Sequence, residues 1–299
     1  MNDPDPTTGF RRILVATDLS ARSDRAFDRA VQLARLWQAE LHVVHAIEAP
    51  PQALAENYRE ILWRQRGPQR GMEVAELIRR DLGDALPDAH IHLEEEPAST
   101  AILAVVARER CDLLVLGEPD PTSAPALGES TLAEVVRKSP AAVLVVKSRP
   151  RGPYARVLVG SDFTDESRQA LEVATRRFGG AAFTLMHALQ LPYASLLEGT
   201  EQVRHSTAER FEALRTELAQ ADVDPEVRER IQITVQDGRP DSTLQQYVLG
   251  TGTDLTVIGA HARGFLFDAV VGSTRRIVDA VPGDVLVVRA QVREPTGAG

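Results

Sequence analysis

Short apolar runs separated by helix-period patterns recur along the chain. In the second half they fall at 157–161, 183–187, 231–235, 254–258 and 285–288. They are β-branched and continuous rather than alternating, which is how strands buried on both faces of a parallel sheet read. Between them, Ala170, Leu171 and Ala174 share one face of a first helix, and Phe211, Leu214 and Leu218 one face of a second. Thr243, Leu244, Tyr247 and Val248 mark a third, and a fourth is predicted to open near Ser273 and to carry Ile277 and Val278. Strand–helix alternation with right-handed crossovers gives an open, doubly wound α/β sheet flanked by helices. Ligands of such sheets sit beyond the carboxyl ends of the strands, near the switch in strand order. Attention therefore falls on the residues that end strands one, two and four: Asp18, Asp162, Ala46, Ala188, Gly117 and Gly259.

The pattern occurs twice. Arg12-Ile-Leu-Val-Ala-Thr-Asp18 reads against Arg156-Val-Leu-Val-Gly-Ser-Asp162 at a shift of 144. From Leu41 onward the shift is 142, bringing Val43-Val44-His45-Ala46 onto Leu185-Met186-His187-Ala188. At the same shift Asp112–Gly117 meets Asp254–Gly259, and Val143–Val146 meets Val285–Val288. The two-residue change is predicted in the turn between first helix and second strand, because loops tolerate length changes. So long a period means duplicated domains rather than a solenoid. The boundaries read as 1–148 for the first domain, 149–155 for a Pro/Gly/Arg linker and 156–299 for the second, with an unstructured tail after about 291.

The chain has 299 residues, enough for two cores. Its formal net charge of −9 argues against nucleic acid or an anionic membrane surface as partner. No apolar run approaches the roughly 20 residues that span a bilayer. The polar, acidic opening predicts no export signal, and the single cysteine, Cys111, excludes an internal disulfide; both fit a reducing cytoplasm. Lys138 and Lys147 are the only lysines, and neither stands in a Walker loop.

The second copy carries the chemistry. Its fourth strand runs into Gly259-Ala-His261-Ala262, and after nine residues that begin with Arg263 comes Gly272-Ser273-Thr274. A glycine at a strand end lets backbone approach a ligand closely. The free N–H groups of a helix opening at Gly272 make an anion site, to which Ser273 and Thr274 add hydroxyls. Asp162 ends strand one, where a carboxylate accepts hydrogen bonds from ribose hydroxyls or an adenine amino group.

Gly-x-x-Gly, nine residues, then Gly-Ser/Thr resembles the nucleotide loop of the ATP-binding universal stress proteins. Val257-Ile258-Gly259-Ala-His261, Val157–Asp162 and Pro282–Val288 are similar to that family too, and the likeness covers nearly all of both copies. It implies two tandem Rossmann-like, adenine nucleotide alpha hydrolase-like domains, each an open five-stranded parallel sheet. It implies a stress-response regulatory protein that binds ATP, or AMP or ADP, in the second domain, with Mg2+ bridging phosphate oxygens. Gly160, Ser161, Asp162, Ala188, Ile258 and Gly259 would bind the nucleotide, Asp162 through its ribose or adenine. His261, Ala262, Arg263, Gly272, Ser273 and Thr274 would complete the nucleotide site, with Arg263 and the Gly272–Thr274 turn toward the phosphates and His261 either touching them or pointing to solvent. It further implies an intramolecular pseudo-dimer through the last strands of the two domains, and is compatible with a homodimer.

Two departures stand out. Ala262 replaces the second glycine of the loop. In the first copy, Asp120 and Ser130 replace the second and third glycines, with Glu118, Glu129 and three prolines nearby. Carboxylates repel phosphate, and proline removes backbone donors. One nucleotide per chain is therefore expected.

Plainer roles compete. Asp18 and Asp162 suit helix caps, and His45 and His187 suit packed, hydrogen-bonded histidines. His42, His90 and His92 meet across neighbouring strands without zinc-ligand spacing. No nucleophile elbow or zinc-protease motif is present, so at most weak ATP hydrolysis is expected. The alternatives are an adaptor without nucleotide, acting through protein partners or another small ligand, and a slow ATPase.

Overall fold

The computed structural model describes residues 9–47, 60–83, 86, 88–118, 130–190, 201–260 and 267–289. Phe10–Ser139 form one compact unit, and the residues from Pro140 on form another.

The first unit holds β1 (Arg12–Ala16), α1 (Ala21–Trp37), β2 (Glu40–Ala46), α2 (Glu60–Leu82), β3 (His90–Glu94), α3 (Ala98–Glu109), β4 (Leu113–Gly117) and α4 (Thr131–Lys138). Its strands run parallel in the order β3-β2-β1-β4. Ile13, Leu14, Val15, Leu114 and Val115 have no exposed surface, as continuous apolar strands demand of a sheet covered on both faces.

The second unit begins with β5 (Ala142–Val146) and β6 (Arg156–Gly160). It continues through α5 (Asp165–Arg177), β7 (Ala182–Leu189), α6 (Glu201–Gln220), α7 (Pro225–Arg230) and β8 (Gln232–Asp237). It closes with α8 (Pro240–Thr251), β9 (Leu255–Ala260), α9 (Phe267–Ala280) and β10 (Asp284–Arg289). Five strands run parallel in the order β10-β9-β6-β7-β8. Both units are therefore Rossmann-like α/β folds.

The register repeats the sequence alignment. Arg12 pairs with Glu40 and Arg156 with Ala182; Ile13 pairs with Leu113 and Val157 with Leu255. The connection from α1 to β2 is Gln38-Ala39, and that from α5 to β7 is Phe178–Ala181, so the two extra residues lie in the predicted turn.

Two features depart from the sequence reading, α7 and the start of α9, and between them the placement of β5 bears on the domain boundary. The short α7, capped by Asp224 on the N–H groups of Glu226 and Val227, was not foreseen. β5, the last strand of the first copy, falls by its contacts in the second unit, where it pairs antiparallel with β10 through Val143↔Val287, Leu144↔Leu286 and Val145↔Val285. And α9 opens at Phe267 rather than near Ser273, so Gly272-Ser273-Thr274 lie in its second turn. Residues 267–280 contain no proline, and one internal glycine costs a helix only about 1 kcal/mol, which leaves nothing to delay its start.

The linker is pinned at both ends. Asp284 is fully buried; its Oδ1 accepts from the N–H groups of Lys147 (2.9 Å) and Ser148 (2.8 Å), and its Oδ2 from the Tyr154 hydroxyl (2.6 Å). Lys147 Nζ donates to the carbonyls of Val278 and Val281 (2.6 Å to the latter), at the C-terminal end of α9 where cations are favoured. Among the described residues, no helix is long and apolar enough to cross a membrane.

Candidate functional site

In the second unit the strand order reverses between β6 and β9, which pair up to Gly160↔Ile258. Gly160, Ser161 and Asp162 leave the end of β6 beside Gly259 and Ala260, and Ala188 stands near the end of the neighbouring β7, paired with Gln236. The structure thus brings these sequence-predicted residues to one switch point. His261, Ala262 and Arg263 lie outside the described residues, as does the first-copy segment 119–129. Thr274 is buried, and Gly272–Thr274 are helical, so their N–H groups are directed along α9 and not left free.

The turn after β6 has a built geometry. Phe163 is left-handed, at φ 65°, and Thr164 follows as the cap of α5, its Oγ1 accepting from the Ser167 N–H at 3.3 Å. Asp162 does not cap the helix. Its Oδ1 accepts from the Thr164 N–H (3.2 Å) and hydroxyl (2.5 Å), which fixes the capping residue from two positions upstream. The first copy repeats the arrangement: Leu19 is left-handed, Ser20 caps α1, and Asp18 Oδ1 accepts from the Ser20 N–H at 2.9 Å. Both carboxylates are exposed.

Gly259 is required by the fold itself. A Cβ there would stand 2.5 Å from the carbonyl carbon and oxygen of Glu166 and 2.7 Å from the Ser167 nitrogen. The close approach read from the sequence is therefore that of the first turn of α5.

Beneath the turn lies a cluster that the sequence reading missed. Glu217 on α6 is 8% exposed. The Ser161 hydroxyl donates to its Oε2, and Ser167 Oγ lies 3.2 Å from its Oε1. Burial, with help from Asp162, pushes this carboxyl above the ordinary carboxylate range, against the two serines and Arg168. In the first copy the equivalent Ser23 hydroxyl turns instead to Asp18 itself. Burial pushes Asp18 up, but the Ser20 and Ser23 donors more than offset it and hold it low.

The paired histidines are structural. His45 Nδ1 meets the Thr17 carbonyl at 2.9 Å and His187 Nδ1 the Ser161 carbonyl at 2.8 Å. Burial holds His187 below the usual imidazole value. The Phe163 ring lies against His187, 4.4 Å between centroids, and the Arg210 guanidinium stands over it, 5.5 Å from its centroid.

His42, His90 and His92 do meet. Arg108 lies 3.1 Å from His92 Nδ1, and His92 Nε2 lies 3.0 Å from His42 Nδ1. His42 Nε2 and His90 Nε2 both stand 3.2 Å from Glu40 Oε1. Since arginine only donates, the network assigns neutral rings with the proton on Nε2 of His92 and of His42. Among the described residues no cluster of His, Cys, Asp and Glu is arranged to hold a metal ion. Cys111 is buried, which pushes its thiol up to about 12 and leaves it unreactive.

A duplicated, doubly wound domain with a carboxylate at its switch point defines the class. The universal stress protein family matches residues 9–147 and again 153–289, and the chain belongs to that family. A putative universal stress protein from Pseudomonas aeruginosa UCBPP-PA14 is 19% identical over 95% of each chain, at a TM-score of 0.59. A universal stress protein from Archaeoglobus fulgidus DSM 4304 is 15% identical over 96% of this chain and 100% of its own, at a TM-score of 0.67. At these identities the likeness is one of fold. None of the curated proteins compared with the chain matches it.

Proposed function

We propose that this chain binds one adenine nucleotide, ATP or its AMP or ADP relatives, at the β6/β9 end of the second copy, and that it serves as a stress-response binding protein in the cytoplasm. The observation that carries this reading is Asp162: an exposed carboxylate at the switch point, its Oδ1 fixed by Thr164 and, among the described residues, its Oδ2 accepting nothing. Oδ2 is the acceptor for a ribose hydroxyl or the adenine amino group. Gly160, Ser161, Ala188, Ile258 and Gly259 form the floor of this site. The phosphates, with Mg2+ where present, would lie toward His261, Ala262, Arg263 and the start of α9. Contact through Gly272 and Ser273 requires residues 267–271 to leave the helix, which frees those two N–H groups.

That last condition favours one rival. With Gly272–Thr274 in the helix, the protein is an adaptor that holds no nucleotide. Mass spectrometry of small molecules released from freshly purified, denatured protein separates the two. Adenine nucleotide from the natural chain, and none from Asp162→Ala, supports the site; none from either supports the adaptor. We also propose that the two copies pair as a pseudo-dimer through their last strands, a reading supported by the antiparallel β5–β10 register.

A further inference from the structure

Ser161 Oγ accepts from the Phe163 N–H at 3.1 Å, so its own hydrogen goes to Glu217 Oε2. Ser167 Oγ faces three oxygens, the Thr164 carbonyl at 3.0 Å, Glu217 Oε1 at 3.2 Å and, more distantly, Ser161 Oγ at 3.5 Å, and has one hydrogen to give. If Glu217 is ionised, one of the two shorter contacts sets a pair of acceptors face to face with nothing between them. If Glu217 carries a proton on Oε1, the chain closes. Glu217 donates to Ser167 Oγ, Ser167 donates to the Thr164 carbonyl, Ser161 donates to Glu217 Oε2, and every hydrogen has one acceptor. The Thr164 carbonyl accepts from the Arg168 N–H at 3.1 Å in either state, so what the proton on Glu217 removes is the close approach of two acceptors.

We propose that Glu217 is a positioning residue for the nucleotide site that acts in its protonated form, so that nucleotide affinity follows the proton it holds. Ser161 and Ser167 bracket the turn that presents Asp162, and Glu217 joins them. Loss of the proton to solvent breaks one of the contacts that hold the turn. It also places a second negative charge beneath Asp162, close enough for the two carboxylates to act on each other. The charged groups acting on Glu217 are Asp162, from the turn, and Arg168, from α5; burial adds to the Asp162 effect and outweighs Arg168. On β7, His187 meets the Ser161 carbonyl, and burial holds it below the usual imidazole value. The first copy lacks the device, since Ser23 there serves Asp18 directly.

The inference rests on the nucleotide reading above, so its test has two arms on the full chain. The first needs no ligand. Carbon-13 NMR of glutamate carboxyls, assigned with Glu217→Gln, reads the titration of Glu217. One carboxyl titrating above all other glutamates, and missing from the variant, supports the proposal; titration in the ordinary range overturns it. The second arm measures ATP affinity across pH. As pH rises through the Glu217 titration read in the first arm, the natural chain is expected to weaken roughly fivefold or more, a typical coupling between sites. Glu217→Gln keeps the neutral hydrogen-bond pattern and should hold the low-pH affinity throughout. A purely structural glutamate would alter stability in the variant and leave the pH profile as it was, and identical profiles overturn the proposal. If ATP binds at no pH, the nucleotide reading fails and the coupling with it, while the NMR titration still decides where the proton sits.

Discussion

The α-carbon of Gly259 faces the backbone of Glu166 so closely that a Cβ added to it would lie 2.5 Å from the Glu166 carbonyl. The end of β9 and the first turn of α5 are in backbone contact, and this contact sets the height of the helix above the switch point. Asp162 lies in the turn that leads from β6 into this helix.

Gly259→Ala should therefore destabilise the second unit by about 1–3 kcal/mol, the range for overpacking, since backbone and not a flexible side chain must move. Gly160→Ala is the control: the nearest atom to its Cβ is Ile258 Cγ2 at 3.4 Å, an ordinary contact. Denaturant unfolding of both variants checks the difference. Equal stabilities would mean that the approach of α5 is not constrained at Gly259.

Asp284 offers a second test. It is fully buried and accepts from Lys147, Ser148 and Tyr154. Hydrogen bonds to a charged group contribute about 1.5–3 kcal/mol each, and their loss strands buried donors. Asp284→Ala should cost about 3 kcal/mol or more, and Tyr154→Phe a smaller part of that. Unfolding by denaturant measures both, and a change below about 1 kcal/mol for Asp284→Ala would remove the anchor role.

The first copy should lose stability in acid. Burial, the largest cause, holds both His42 and His92 below the ordinary imidazole value of 6.5. The unfolded chain therefore binds these protons more readily than the folded one. The stabilisation is complete above 6.5 and declines as pH falls through the lower folded values. Thermal unfolding followed across this window should show the decline, and His42→Leu should flatten it. An unchanged slope in His42→Leu would assign the acid sensitivity elsewhere.

Much of this architecture is legible in the chain. The strands could be read because continuous apolar runs such as 157–161 have few other uses, and the repeat fixed their correspondence down to the turn at Phe178–Ala181. Asp162 was found because a strand end is a marked place. Glu217 was missed because a glutamate on a 20-residue charged helix reads as solvated. The signal was present all the same: Leu214, Glu217 and Leu218 fall at i, i+3 and i+4, so the carboxyl sits inside the apolar stripe. The start of α9 was misplaced because Gly272-Ser273 resembles a cap, whereas the residues before it are equally able to be helical. The placement of β5 with β10 was foreseen from the family resemblance and not from local pattern, since a strand run does not say which edge it will find.

The central claim is that one adenine nucleotide binds per chain and that Asp162 receives it. Titration calorimetry of the full chain with Mg2+-ATP tests it most directly. The account predicts a single site per chain, abolished by Asp162→Ala and unaffected by Asp18→Ala. Two equivalent sites, or a single site that survives Asp162→Ala and is lost in Asp18→Ala, would contradict it.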